Sequence, residues 1–217
     1  MEGKPLRGKG IWIWKLKQVL DPEGKEHNWT WMANELAGHG FTHVLVKILD
    51  GTWGYNQRPV YNDAGAFLGY KDDLLGPFVE AMHAAGIVVY GWQWVLAEQD
   101  PAAQGKAAAD RCKTFGLDGY ICNAEAPVKG KPSSWLAALV SGVHHGVGDA
   151  YPCGLSSYRY PKLHLEFPWK TVNWFNFVAP QVYWEQSHNA GAQLELSVQQ
   201  YREILSLIHI SEPTRPY

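Results

Sequence analysis

The sequence predicts an α/β chain of the (βα)8 TIM-barrel class, represented by about six βα units. Three observations lead there. Short β-branched or aromatic runs alternate with longer helical segments, the pattern of βα units around a parallel sheet. Helical segments stop at glycine just ahead of the next strand, as in Ala84-Ala85-Gly86 and Thr114-Phe115-Gly116, where a left-handed cap without a Cβ is favoured. Six such units within residues 1–204 extrapolate to eight in roughly 250, the usual barrel size. The rival, an open doubly wound sheet, would carry a Gly-rich phosphate fingerprint after its first strand, and none follows it here.

In chain order, strands are expected over 10–16, 43–49, 87–95, 119–125, 153–158 and 178–185. Helices are expected over 29–37, 74–85, 101–115 and 132–143, in a Trp-rich piece around 168–175, and over 192–204. The long stretch 52–71, with Trp53, Tyr55, Tyr61, Phe67 and Tyr70, reads as a loop that either walls a groove or packs over the barrel rim. Asp72-Asp73 ahead of Leu74-Leu75 reads as a helix start, and His144-His145 as helix-end capping rather than metal binding. Residues 205–217 resemble the in-frame translation of a sequencing adapter, so they are expected to be non-native and the barrel to occupy 1–204 with its last two units missing.

Composition narrows the function classes. Nineteen Lys and Arg against 21 Asp and Glu leave a net charge of −2, with no general attraction for nucleic acid or acidic lipid. No run reaches the ~18 to 20 apolar residues of a membrane span, and Met1-Glu2-Gly3-Lys4-Pro5 lacks the apolar stretch of a signal peptide, so no membrane insertion or visible export signal is expected. Cys112, Cys122 and Cys153 fit no zinc spacing or disulfide framework and read as buried thiols. No metal cluster and no cofactor is expected. Eleven Trp and eleven Tyr supply flat amphipathic rings that suit sugar faces as well as cores.

In a barrel of this class the site lies at the carboxyl ends of the strands. Along the fourth strand Ile121, Asn123 and Glu125 share one face and Tyr120, Cys122 and Ala124 the other. A carboxylate turned toward covering helices would be costly to desolvate, so the face with Glu125 is assigned to the lumen. By the same parity Trp12, Trp14, Lys47, Trp92, Trp94, Gln181, Tyr183 and Glu185 converge there, with Asp50 at the start of the loop after strand two.

These residues sit in recognisable surroundings. The run from Gly40 to Thr52 is similar to the strand-two region of glycoside hydrolase family 25 lysozymes, and 84–92 and 100–104 look like that family's third unit. Leu117-Asp118-Gly119-Tyr120-Ile121-Cys122-Asn123-Ala124-Glu125 resembles the strand-four signature of family 18 chitinases, and Gln181-Val182-Tyr183 their strand-six Met-x-Tyr. The departures are Trp12 where the lysozymes carry an acidic residue, and Asn123 in place of their strand-four Asp. An Asn two residues before the acid resembles family 85 endo-β-N-acetylglucosaminidases. The resemblance implies a glycosidase-like barrel acting on a β-linked glycan containing N-acetylhexosamine, most simply peptidoglycan in a phage or bacterial lysis setting.

Glycoside hydrolysis needs a proton donor and a second group that attacks or stabilises the sugar cation. Glu125 is the candidate acid. In one scheme the substrate's own N-acetyl oxygen attacks, Asn123 steadies the acetamido nitrogen and Tyr183 bonds the acetamido oxygen. In the other, Glu185 or Asp50 is the second carboxylate. Trp12, Trp14, Lys47, Trp92, Trp94 and Gln181 are expected to line the substrate. Two readings from other classes stay open: a non-catalytic carbohydrate-binding barrel, and a lyase or isomerase working through Lys47, which in its plainer role would pair with Glu125.

Overall fold

The structure, a computed structural model, describes residues 6–71, 73–183 and 188–211. Six parallel strands form the sheet: β1 (Lys9–Ile13), β2 (Phe41–Asp50), then, after a short insertion, β6 (Val88–Trp94), β7 (Gly119–Asn123), β8 (Cys153–Tyr158) and β9 (Phe177–Gln181), hydrogen-bonded in that order. The insertion holds β3 (Trp53–Gly54), antiparallel to β2, and a hairpin of β4 (Arg58–Tyr61) and β5 (Phe67–Lys71). Helices α1 (Trp29–Gly38), α2 (Leu75–Ala84), α3 (Pro101–Phe115), α4 (Ser133–Val147) and α5 (Ala190–Ser211) follow β1, the insertion, β6, β7 and β9.

Side-chain alternation divides the interior in two. Val44, Val46, Val89, Cys122 and Leu155 point outward into the core beneath the helices, while Leu45, Tyr90, Trp92 and Ile121 form a separate cluster on the inner face. That inner face is concave. Tyr90 of β6 and Phe177 of β9 are separated by two intervening strands, or roughly 14 Å along a flat sheet, yet their rings are 6.0 Å apart. The sheet therefore curls as part of a (βα)8 barrel, with β1 and β9 as its edges among the described residues.

Local chemistry sets the elements. Asp100 caps α3 by accepting from the Ala103 amide at 2.8 Å, Pro101 occupies the first turn, and Gly116 closes the helix at φ 63°. Helices α3 and α4 touch backbone to backbone: a Cβ on Gly105 would stand 2.1 Å from the Leu139 carbonyl oxygen. All three cysteines are buried free thiols. No helix among the described residues is long and apolar enough to cross a membrane, and no group of three His, Cys, Asp or Glu converges there as a metal site.

Several boundaries differ from expectation. The first strand stops at Ile13, because Leu16 turns into a short 3-10 segment, Leu16–Gln18, whose Leu16 amide donates to the Asn56 side chain at 2.9 Å. The Trp-rich segment forms a 3-10 turn, Trp169–Trp174, in which the Thr171 hydroxyl donates to the Pro168 carbonyl at 2.7 Å. Helix α4 continues past 143 to Val147, where His144 Nδ1 lies 3.1 Å from the Gly148 carbonyl oxygen. Asp73 stands ahead of α2 as expected and accepts from the Leu75 amide, but it also pairs with Arg111 at 2.8 Å; Asp72 lies outside the described residues.

Candidate active site

The inner face ends in two polar groups at the carboxyl edge of the sheet. The first centres on Gln181, the last residue of β9. Its side-chain amide nitrogen donates to Asn123 Oδ1 at 2.7 Å and to Glu125 Oε1 at 2.9 Å, with Ser156 Oγ more distant at 3.4 Å. An amide nitrogen has two hydrogens, so the two short bonds use both. The Gln181 oxygen accepts from the Tyr183 hydroxyl at 3.1 Å. Residues from β7, β8 and β9 are thus drawn to one point.

Strand β7 ends at Asn123, two residues short of the expected limit, yet Glu125 keeps the inward side. The ladder runs one step further through the Ala124 amide, which donates to the Ser156 carbonyl at 3.0 Å, before Glu125 leads into a 3-10 turn containing Pro127. Glu125 and Asn123 are half-buried. Strand β9 likewise ends at Gln181, leaving Tyr183 beyond it and 69% exposed. Partial burial, then the charge of Glu125, holds the Tyr183 phenol above its ordinary pKa. Glu185 lies outside the described residues.

The second group belongs to β2. The buried Lys47 ammonium pairs with Asp50 at 2.6 Å and stands 4.1, 5.2 and 5.5 Å from the ring centres of Tyr55, Trp92 and Trp14. A β-bulge makes this pair. Lys47 is opposite Trp92 and Leu49 opposite Gln93, so Ile48 is the extra residue. Ile48 and Leu49 both enter the outer core, and Asp50 turns inward opposite Trp94. The insertion braces the bulge: Tyr55 donates its amide to the Ile48 carbonyl at 2.8 Å, and Asn56 Nδ2 donates to the Lys47 carbonyl at 2.8 Å. Asp50 is thus the last residue of β2 and not a loop residue, and Lys47 pairs with it and not with Glu125.

The indoles expected at the mouth divide. Trp12 packs edge-to-face on Trp92 at 5.8 Å, and Trp92 donates its ring N–H to the Ile13 carbonyl at 3.2 Å. Trp94 is half-buried beside Asn123 in the register, whereas Trp14 lies past the end of β1 and is 56% exposed. Sequence reasoning missed Tyr158, although it follows Gly154 and Ser156 on the same two-residue period of β8. Its hydroxyl is buried without a partner, as is Nδ1 of His164, whose ring stacks on Tyr158 at 3.7 Å. Burial and then the Glu125 charge push the Tyr158 pKa up, while burial and then Lys129 push that of His164 down.

Comparison with known proteins adds to this geometry. No family model matches the chain. A stretch of 106 residues is 31% identical to the 1,4-alpha-glucan branching enzyme GlgB of Pseudomonas syringae pv. syringae, spanning 45% of this chain and 14% of that protein. Among solved structures, the GH18 chitinase ChiB of Flavobacterium johnsoniae superposes with TM-score 0.54 at 10% identity, over 89% of this chain and 63% of that one. A chitinase of Chromobacterium violaceum gives 0.54 at 11%, over 89% and 64%. Pyruvate carboxylase of Rhizobium etli gives 0.55 at 9%, over 96% and 21%. The chain thus spans less than two thirds of each of these proteins. Likeness at such identity, shared with a carboxylase, speaks for the fold and not for the chemistry. Fold and mouth together define the class: a (βα)8-type barrel with a carboxamide–carboxylate cluster at its carboxyl end.

Proposed function

We propose that the protein is a glycoside hydrolase acting on a β-linked glycan that contains N-acetylhexosamine, with peptidoglycan as the first substrate to try. The observation that carries this reading is the Gln181 amide bonding Asn123 and Glu125 together at the barrel mouth. Glu125 donates a proton to the glycosidic oxygen as the bond to the anomeric carbon breaks. The acetamido oxygen of the same sugar closes on that carbon to give an oxazolinium ion, and water then opens it, returning a proton to Glu125. Asn123 Oδ1 already accepts from Gln181 and has a second lone pair for the acetamido N–H. Tyr183 releases Gln181 and donates to the acetamido oxygen. Asp50, the second carboxylate of the rival scheme, is committed to Lys47, and the substrate-assisted route does not need it. The structural likeness to chitinases supports the reading at the level of fold.

The test is turnover of paired synthetic glycosides with and without the 2-acetamido group, for the parent and for Glu125→Gln. Selective turnover of the acetamido substrate by the parent alone supports the route. Equal turnover of both removes Asn123 from it, and glycan binding without turnover in the parent favours a non-catalytic binding barrel.

A further inference from the structure

Beside the mouth, a groove of about 890 Å³ runs between the segment after β1 and the β3–β5 insertion, reaching the Lys47 group at Asp50 and Tyr55. Three exposed rings of this insertion line the groove: Trp53 at 59%, Tyr61 at 58% and Tyr70 at 46% exposure. The charge of the groove is opposite to that of the chain. Lys15, Lys17 and Arg58 line it against Glu26 and Asp50, and Asp50 is already neutralised by Lys47. Among the described residues that leaves three cations facing one carboxylate, in a chain whose net charge is −2.

His27 supplies the independent sign. It lines the groove in a left-handed conformation, φ 62°, that side chains seldom adopt. Its Nδ1 lies 3.4 Å from Arg58 Nη2. A guanidinium only donates, so Nδ1 accepts and Nε2 carries the hydrogen. That Nε2 is buried with no hydrogen-bond partner, and the nearest carboxylate, Glu26, is 3.8 Å away, beyond bonding range. The wall that carries Arg58 thus holds a donor whose hydrogen bond is unmade, beside cations that have no carboxylate within bonding range among the described residues.

We propose that this groove is a binding site for a carboxylate-bearing sugar, with Arg58 and Lys17 holding the carboxylate, His27 backing Arg58, and the insertion's aromatic rings flanking the pyranose. The site deepens the glycosidase reading and rests on it only for the assumption that the ligand is a glycan; it makes the preferred substrate an acidic one that continues out of the mouth past Asp50.

The experiment is calorimetric titration of the full chain with two acidic N-acetylhexosamine glycans, each beside its carboxyl-reduced form. One is a hyaluronan hexasaccharide, whose carboxylate is on the ring; the other is an N-acetylglucosamine–N-acetylmuramic acid tetrasaccharide, whose carboxylate is on an ether side arm. At least one acidic glycan is expected to bind tenfold or more tighter than its reduced form, and the one that does identifies the source. The preference is expected to shrink with salt and to fall toward unity in Lys17→Gln/Arg58→Gln, with melting temperature checked for each protein. A ratio near one for both pairs in the parent, a ratio that survives in the double variant, or no binding of any of the four overturns the proposal. Turnover of neutral chitin oligomers with a ratio near one would leave the hydrolase standing without this site; a strong preference without turnover would do the reverse.

Discussion

The two ends of the same strands handle polar atoms differently. At the amino end, Asp118 just before β7 is buried and tied to β6: one of its oxygens accepts from the Val89 amide and faces His83 Nε2, both at 2.8 Å, while its own amide donates to the Val89 carbonyl at 2.8 Å. Nearby, the Tyr151 hydroxyl donates to the Leu117 carbonyl at 2.7 Å. At the carboxyl end, Gln181 gathers Asn123, Glu125 and Tyr183, but Tyr183 is exposed and the Tyr158 hydroxyl lacks a partner. Bonds between neighbouring strands at one end stabilise the fold; under the proposed function, the bonding capacity left over at the other serves the substrate.

Breaking the two ends separately should give opposite readouts. Under the proposed mechanism Glu125→Gln lowers kcat by ~10³-fold, within the usual contribution of a general acid, and leaves the melting temperature nearly unchanged; steady-state assays beside thermal melts check it. Asp118→Ala strands the buried Val89 N–H and is expected to cost about 2 to 3 kcal/mol in a urea titration, with kcat of the folded protein preserved. Gln181→Met keeps the volume but releases Asn123 and Glu125, so kcat should fall about tenfold with little change in stability, an effect of about 1.4 kcal/mol on the barrier. A large loss of stability instead would make the mouth as structural as the base.

The smallest effect is a pH dependence from inside the barrel. His43 is buried opposite Gly10, where a Cβ would fall 1.9 Å from its Nε2, and burial holds its pKa below the ordinary 6.5. The folded state therefore favours the neutral ring. Its contribution is fully present above about pH 6.5 and is lost as pH falls toward the depressed value, so the melting temperature should drop on acidification below that point. His43→Gln should flatten that slope.

Much of the architecture was legible in the sequence because inner and outer faces of a curled sheet alternate along most of each strand. The two-residue period put Trp92, Asn123, Glu125 and Gln181 on one side, and the structure brings the last three together through the Gln181 amide. What was not legible depends on breaks in that period. The hairpin of β4 and β5 read as a loop because Gly, Pro and Asn crowd its stretch. Strand ends ran long in β1 and β9, where the side-chain pattern continues after the ladder has stopped. Asp50 turns inward only because Ile48 is bulged, and nothing in the composition of β2 announces a bulge.

That single extra residue makes the electrostatics of the cleft depend on strand register as much as on residue identity. Were the same residues to run on as a regular ladder, Leu49 would take the inward place and Asp50 would turn outward beneath the helices, leaving Lys47 among its rings with its counter-ion gone. Both charges would then be stranded in poorly solvated surroundings although neither had been mutated. A homologue lacking Ile48 would escape this, because Leu49 and Asp50 would keep their places opposite Gln93 and Trp94 and the two charges would share the inner face at a spacing of two.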